Sequence, residues 1–124
     1  MLLSVIIVSY NEGRYISQAI ESCLSQVGID DYEIIIGDDG SSDNSLEIIK
    51  EYQERYPDKI KYFVMDRDDT GGVIGAIRAS NVIKAGLAIS KGKYINVISA
   101  DDIFCDKNKF SKSVSILEDE SNSK

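Results

Sequence analysis

The chain opens on an almost unbroken apolar run, Leu3 to Val8, the pattern of a strand buried on both faces of a parallel sheet. Tyr10-Asn11-Glu12-Gly13 breaks it. Apolar residues then return at helical spacing (Ile16, Ala19, Ile20, Cys23, Leu24), in a helix expected to end near Gly28. Tyr32 to Gly37 reads as a second strand, and Asp38 to Asp43 as a turn rich in cap formers. Asn44, with Glu47 three positions on, fits the start of a helix carrying Leu46, Ile49, Tyr52 and Tyr56 on one face. Pro57-Asp58 stops that helix. Ile60 to Met65 is a third strand, followed by a polar, glycine-containing loop from Asp66 to Gly75. Ala76 to Ser90 has helical spacing, with Gly92 suited to its C-terminal cap, and Lys93 to Ser99 is a fourth strand. Phe110, Val114 and Leu117 mark a last amphipathic helix before a polar tail, Glu118 to Lys124.

The order β-α-β-α-β-α-β-α, with connections short enough for right-handed crossovers, predicts an α/β fold built on a doubly wound, mainly parallel sheet. The chain has 124 residues, one proline (Pro57) and no long Gly/Ser tract, so a single domain over residues 1–124 is expected. Hydrophobic residues make up 43% and charged residues 28%, which is too apolar for disorder.

Charge narrows the ligand. A net charge of −7 argues against nucleic acid, whose binding surfaces are basic. A phosphorylated ligand would meet repulsion from acidic side chains unless a divalent cation lay between them. The absence of histidine removes the usual general base and excludes most zinc chemistry. Cys23 and Cys105 form no CxxC pair and read as two thiols in a reducing compartment. The N-terminal apolar run has no basic flank and is too short to span a membrane, so a cytoplasmic protein, or one peripheral to the membrane, is expected.

Two doubled aspartates follow the strand-like runs: Asp38-Asp39 after Ile34-Ile35-Ile36-Gly37, and Asp101-Asp102 after Val97-Ile98-Ser99-Ala100. In an open α/β sheet, ligands bind beyond the carboxyl ends of the strands, which is where these residues fall. Taken alone, Asp38-Asp39 is better accounted for by turn chemistry than by a ligand. Two adjacent carboxylates at Asp101-Asp102 are harder to explain by capping, and hard oxygen donors without histidine or thiolate fit Mg²⁺ or Mn²⁺. Tyr10, at the end of the first run, could lay its ring against a planar base or simply cap the core edge. Gly71-Gly72-Val-Ile-Gly75 lacks both the dinucleotide-binding and Walker spacings, and reads instead as a loop over a ligand. Arg78 or Lys84 beyond it could reach a diphosphate.

Together, Ser4-Val-Ile-Ile-Val-Ser-Tyr-Asn11, Ile36-Gly-Asp-Asp-Gly-Ser-Ser-Asp43, Gly92-Lys-Tyr-Ile95 and Ser99-Ala-Asp-Asp102 resemble the family 2 glycosyltransferases of the GT-A fold. The resemblance runs from Leu3 to Phe104. It implies the N-terminal, donor-binding half of such an enzyme, a nucleotide-diphospho-sugar donor (most often UDP-linked), and inverting transfer to a saccharide or lipid-linked acceptor hydroxyl. It further implies contacts to the donor from Ser9, Tyr10, Asn11, Glu12, Asp38, Asp39, Ala100 and Asp101. Tyr10 would stack on the base, and Asp39 or Asp38 would accept its ring N–H. Asp102, with Asp101, would ligate Mn²⁺ or Mg²⁺.

Three departures accompany the resemblance. Ser99 stands where many members carry an aspartate. Ile83-Lys84-Ala85-Gly86 replaces an Arg-Asn-x-Gly run, and the family's catalytic base is expected outside this chain. A truncated sheet would also leave an edge open to a second copy. A non-catalytic nucleotide-sugar module, or a subunit that needs a partner, is the alternative expectation.

Overall fold

The computed structural model describes residues 2–26, 30–65 and 75–100, with residues 75–79 described through their backbone alone. Four strands, β1 (Leu3–Ser9), β2 (Tyr32–Asp38), β3 (Ile60–Val64) and β4 (Tyr94–Ser99), form one parallel sheet in the order β3-β2-β1-β4. Between them run α1 (Ile16–Leu24), α2 (Ser45–Arg55) and α3 (Gly75–Ile89). The chain moves outward from β1 through β2 to β3, then returns across β1 to β4. The sheet therefore reverses direction between β1 and β4, the place where open α/β sheets bind ligands.

Alternation along the strands sorts the side chains to two faces. Leu3, Val5, Ile7, Ile34, Ile36 and Ile60 form one buried cluster with Ile16, Ile20 and Cys23 of α1 and Ile49 and Tyr52 of α2. On the opposite face α3 lies close to the sheet because glycines permit it. A Cβ on Gly86 would meet the Ile6 side chain at 3.1 Å, and one on Gly37 would meet Val82 at 2.5 Å and Phe63 at 2.6 Å. The doubly wound expectation is met, with α1 and α2 on one face and α3 on the other.

Burial holds Cys23 inert: it pushes the thiol up to about 12, against a lowering hydrogen bond from Ser22. Tyr52 Oη donates to Glu21 Oε1 at 2.8 Å and ties α2 to α1. Burial and then the Glu21 carboxylate push that hydroxyl up to about 12.

A polar device fixes the amino-terminal side of the sheet. Glu33, buried on β2, accepts Ser4 Oγ at 2.6 Å and the Lys91 amide at 2.7 Å, and pairs with Lys61 Nζ at 2.9 Å. Burial alone would raise this carboxyl; the hydrogen bonds from Ser4, Lys91 and Lys61 outweigh it and hold it below its ordinary value. Ser4 Oγ in turn accepts the Gly92 amide at 2.7 Å, so the segment entering β4 is bonded to β1 and β2 together.

The elements match the sequence pattern within a residue or so at most ends, and the differences have physical causes. Helix α1 ends at Leu24 with Ser25 as its C-cap, short of Gly28, which lies outside the described residues. Asn44 occupies the N-cap of α2 but makes no side-chain cap bond. Asp43 Oδ1 accepts the Ser45 amide at 2.9 Å instead. Gly92 is not a left-handed cap: among the described residues, Gly40 is the glycine with positive φ. Close approach is what demands Gly92, since a Cβ there would lie 2.4 Å from the Ser4 backbone nitrogen. Cys105, the expected helix around Phe110, Val114 and Leu117, and the loop from Asp66 to Ile74 lie outside the described residues. Among the described residues no helix is long and apolar enough to cross a membrane.

Candidate functional site

The carboxyl ends of β1, β2 and β4 finish at one level. Ser9 pairs with Asp38, and Val8 pairs with Ser99. One step further, the Asp39 amide donates to the Ser9 carbonyl and the Ala100 amide donates to the Val8 carbonyl, both at 2.9 Å. The loops that begin at Tyr10, Asp39 and Ala100 therefore leave a common rim. Asp101 and Asp102 lie outside the described residues, so the rim is described up to Ala100.

Parallel pairing sets this arrangement, because the three apolar runs share a register and break at the same height. Ser9, Asp38, Asp39 and Ala100 are buried at the rim, whereas Tyr10 is 38% exposed. Among the described residues the buried Ser9 hydroxyl, on the central strand of the rim, has no hydrogen-bond partner.

The two aspartates of the first doublet have different surroundings. Asp38 Oδ2 accepts the Ser41 amide at 2.7 Å and its Oδ1 accepts Ser41 Oγ at 2.6 Å, so both oxygens serve the turn. Gly40, at φ 78°, lets that turn close. Asp39, also buried, holds the rung to Ser9 through its backbone amide.

The β1 and β2 loops are bonded along their length. Asn11 Oδ1 accepts the Ser42 amide at 2.8 Å and the Asp43 amide at 3.3 Å, and the Asn11 amide donates to Ser41 Oγ at 2.8 Å. The amides of Glu12 and Gly13 donate to Ser45 Oγ and Asp43 Oδ2, each at 3.0 Å. At Asp43 the desolvation that would raise the carboxyl is outweighed by hydrogen bonds from Ser45 and Gly13, which hold it below its usual range. This network was not anticipated from sequence. Its signal is that two polar, turn-forming clusters follow two strands in shared register.

The cationic candidates are placed less favourably. Val82 and Gly86 face the sheet from α3, and Lys84 between them, half a turn around the helix, is exposed. Arg78 lies in the first turn of α3, where the backbone alone is described. Among the described residues, no three Cys, Asp or Glu gather as a metal site.

A family model described as Glycosyl transferase family 2 matches residues 4–123. The chain belongs to glycosyl transferase family 2. It is 41% identical over 104 residues to an uncharacterized glycosyltransferase of Nostoc sp., covering 84% of this chain and 29% of that protein. It is 35% identical to glycosyltransferase GlyG of Streptococcus pneumoniae over 82% of this chain and 31% of that one. It is 37% identical to a poly(ribitol-phosphate) beta-glucosyltransferase of Bacillus spizizenii, over 82% of this chain and 15% of that protein.

Among solved structures, S. aureus TarS 1–349 in complex with UDP superposes with a TM-score of 0.72 at 24% identity, covering 96% of this chain and 32% of that one. The mannosyltransferase PcManGT of Pyrobaculum calidifontis, in complex with GDP-Man and Mn²⁺, gives 0.79 at 18% identity over 93% and 32%. The fold is thus that of the family 2 glycosyltransferases, and the chain spans about a third or less of the relatives it matches.

Proposed function

We propose that this chain is the donor-binding part of a family 2 glycosyltransferase, taking a nucleotide-diphospho-sugar, with UDP as the nucleotide, for inverting transfer to an acceptor hydroxyl on a saccharide or lipid-linked saccharide. The observation that carries the reading is the shared rim: Tyr10 and Asp39 each directly follow the register partners Ser9 and Asp38, and the Ser9–Asp39 hydrogen bond joins the two strand ends. A half-exposed ring offers a stacking face, and a carboxylate beside it offers a charged acceptor for a ring N–H, which is the pairing a uracil requires. Solved neighbours bound to UDP and to UDP-GlcNAc support that choice of ligand.

In this reading Asp39 takes the base, while both Asp38 oxygens hold the turn through Ser41. In this reading the buried Ser9 hydroxyl, without a hydrogen-bond partner among the described residues, would bond a ligand atom at the rim. Asp102 and Asp101, hard oxygen donors that continue from Ala100, would hold a divalent cation. Such a cation supplies charge neutralisation for the diphosphate leaving group. Calorimetry with UDP tests the reading: saturable binding that weakens in Tyr10→Ala supports it, and equal affinity in both proteins refutes it.

A further inference from the structure

Asn11 is the described non-glycine residue with positive φ, 51°. Left-handed backbone costs an L-residue energy, and asparagine tolerates it better than most. Hydrogen bonds to the facing loop offset that cost. The Asn11 amide donates to Ser41 Oγ at 2.8 Å, and Ser41 Oγ donates onward to Asp38 Oδ1 at 2.6 Å. From the other side, Asn11 Oδ1 accepts the amides of Ser42 and Asp43.

The effect falls on Tyr10 and Asp39, whose neighbours are all tied. Tyr10 lies between Ser9, whose carbonyl takes the Asp39 amide, and Asn11, which is bonded to residues 41–43. Asp39 lies between Asp38, held by Ser41, and Gly40 in its left-handed turn. Each group that would meet a base is thus flanked by bonds that fix its own loop.

We propose that Asn11 is a positioning residue: through its amide and its side-chain oxygen it locks the β1 loop onto the Asp38–Ser41 turn, and so fixes Tyr10 and Asp39 relative to each other before a nucleobase arrives. This rests on the reading of Tyr10 and Asp39 as the base-binding pair. Such preorganisation removes an ordering cost that binding would otherwise carry. Nothing in it concerns the diphosphate, so the lock affects base recognition selectively.

The test compares UDP with inorganic pyrophosphate, each titrated with Mn²⁺ into the wild-type chain, Asn11→Gly, Ser41→Ala and Tyr10→Ala. Glycine keeps the left-handed backbone without strain and removes only the side-chain lock. The expected result is a loss of about tenfold in UDP affinity for Asn11→Gly, the size of one or two lost hydrogen bonds, with pyrophosphate affinity within about twofold. Ser41→Ala, which breaks the relay in its middle, should show the same selectivity and carries the test alone if Asn11→Gly does not fold.

Unchanged UDP affinity in these variants, or equal weakening of UDP and pyrophosphate, overturns the lock. The two failures separate through Tyr10→Ala. If that change weakens UDP and Asn11→Gly does not, the lock alone is wrong. If Tyr10→Ala has no effect, the base-binding reading falls and the lock falls with it.

Discussion

The Asp39 amide donates to the Ser9 carbonyl at 2.9 Å, one rung beyond the pairing of Ser9 with Asp38. That bond brings the backbone of Asp39 beside Ser9, so Tyr10 and Asp39 follow at the ends of two neighbouring strands. Replacing Tyr10 with alanine is expected to reduce UDP affinity by about 1–3 kcal/mol, the worth of a base stacked on a ring. Tyr10→Phe should keep most of it, because the ring and not the hydroxyl makes the platform. Calorimetry on both variants checks this.

The two aspartates at the end of β2 should separate in experiment. Asp38→Ala strands the Ser41 amide and hydroxyl, and is expected to lower stability by about 1–3 kcal/mol in urea unfolding. Asp39→Ala should leave stability closer to wild type and weaken UDP instead. The reverse pattern would exchange their roles.

Glu33 gives a pH prediction. Its carboxyl is held below its ordinary value of 4.5, so its stabilising contribution is complete above that pH and fades as pH falls through the depressed folded value. Glu33→Gln should therefore be less stable than wild type at neutral pH, with the difference shrinking in acid as the wild-type carboxyl is protonated. Thermal unfolding from about pH 7 down to pH 3 reads both, the interval that brackets the carboxylate range.

Close packing gives a third kind of variant. A methyl at Gly92 would lie 2.4 Å from the Ser4 nitrogen and 2.7 Å from the Leu3 carbonyl carbon, both backbone atoms that cannot rotate away. Gly92→Ala is expected to cost about 2–3 kcal/mol or more in urea unfolding, as overpacked sites do. The Gly86 neighbour is an isoleucine side chain at 3.1 Å, which can shift, so Gly86→Ala should cost less.

The fold was legible because its signal is periodic. The runs Leu3 to Val8 and Ile34 to Ile36 can be buried on two faces only in a covered parallel sheet, and Ile16, Ala19, Ile20 and Cys23 show one buried stripe. The site was legible in part, since Tyr10, Asp38 and Asp39 directly follow those runs.

What pattern alone could not show were contacts between distant residues. Nothing local distinguishes Asp38 from Asp39; the bond from Ser41 does. Glu33 interrupts an apolar run, and its meaning appears only when register sets it opposite Ser4. Asn44 met a capping rule that Asp43 fulfilled, because Asp43 also receives the Gly13 amide from the facing loop. Charge alone singles out Lys84, and only helix phase shows that it is exposed while Val82 and Gly86 face the sheet.

The proposed function requires that this rim bind a nucleotide diphosphate through a base platform on one side and a cation held after Ala100 on the other. Calorimetry of UDP with the wild-type chain and with Asp102→Asn, each in Mn²⁺ and in chelator, tests it most directly. Wild-type binding is expected to tighten with Mn²⁺, and the Asp102→Asn chain to retain only the metal-independent part. Affinity that is the same in both proteins and indifferent to Mn²⁺ would contradict it.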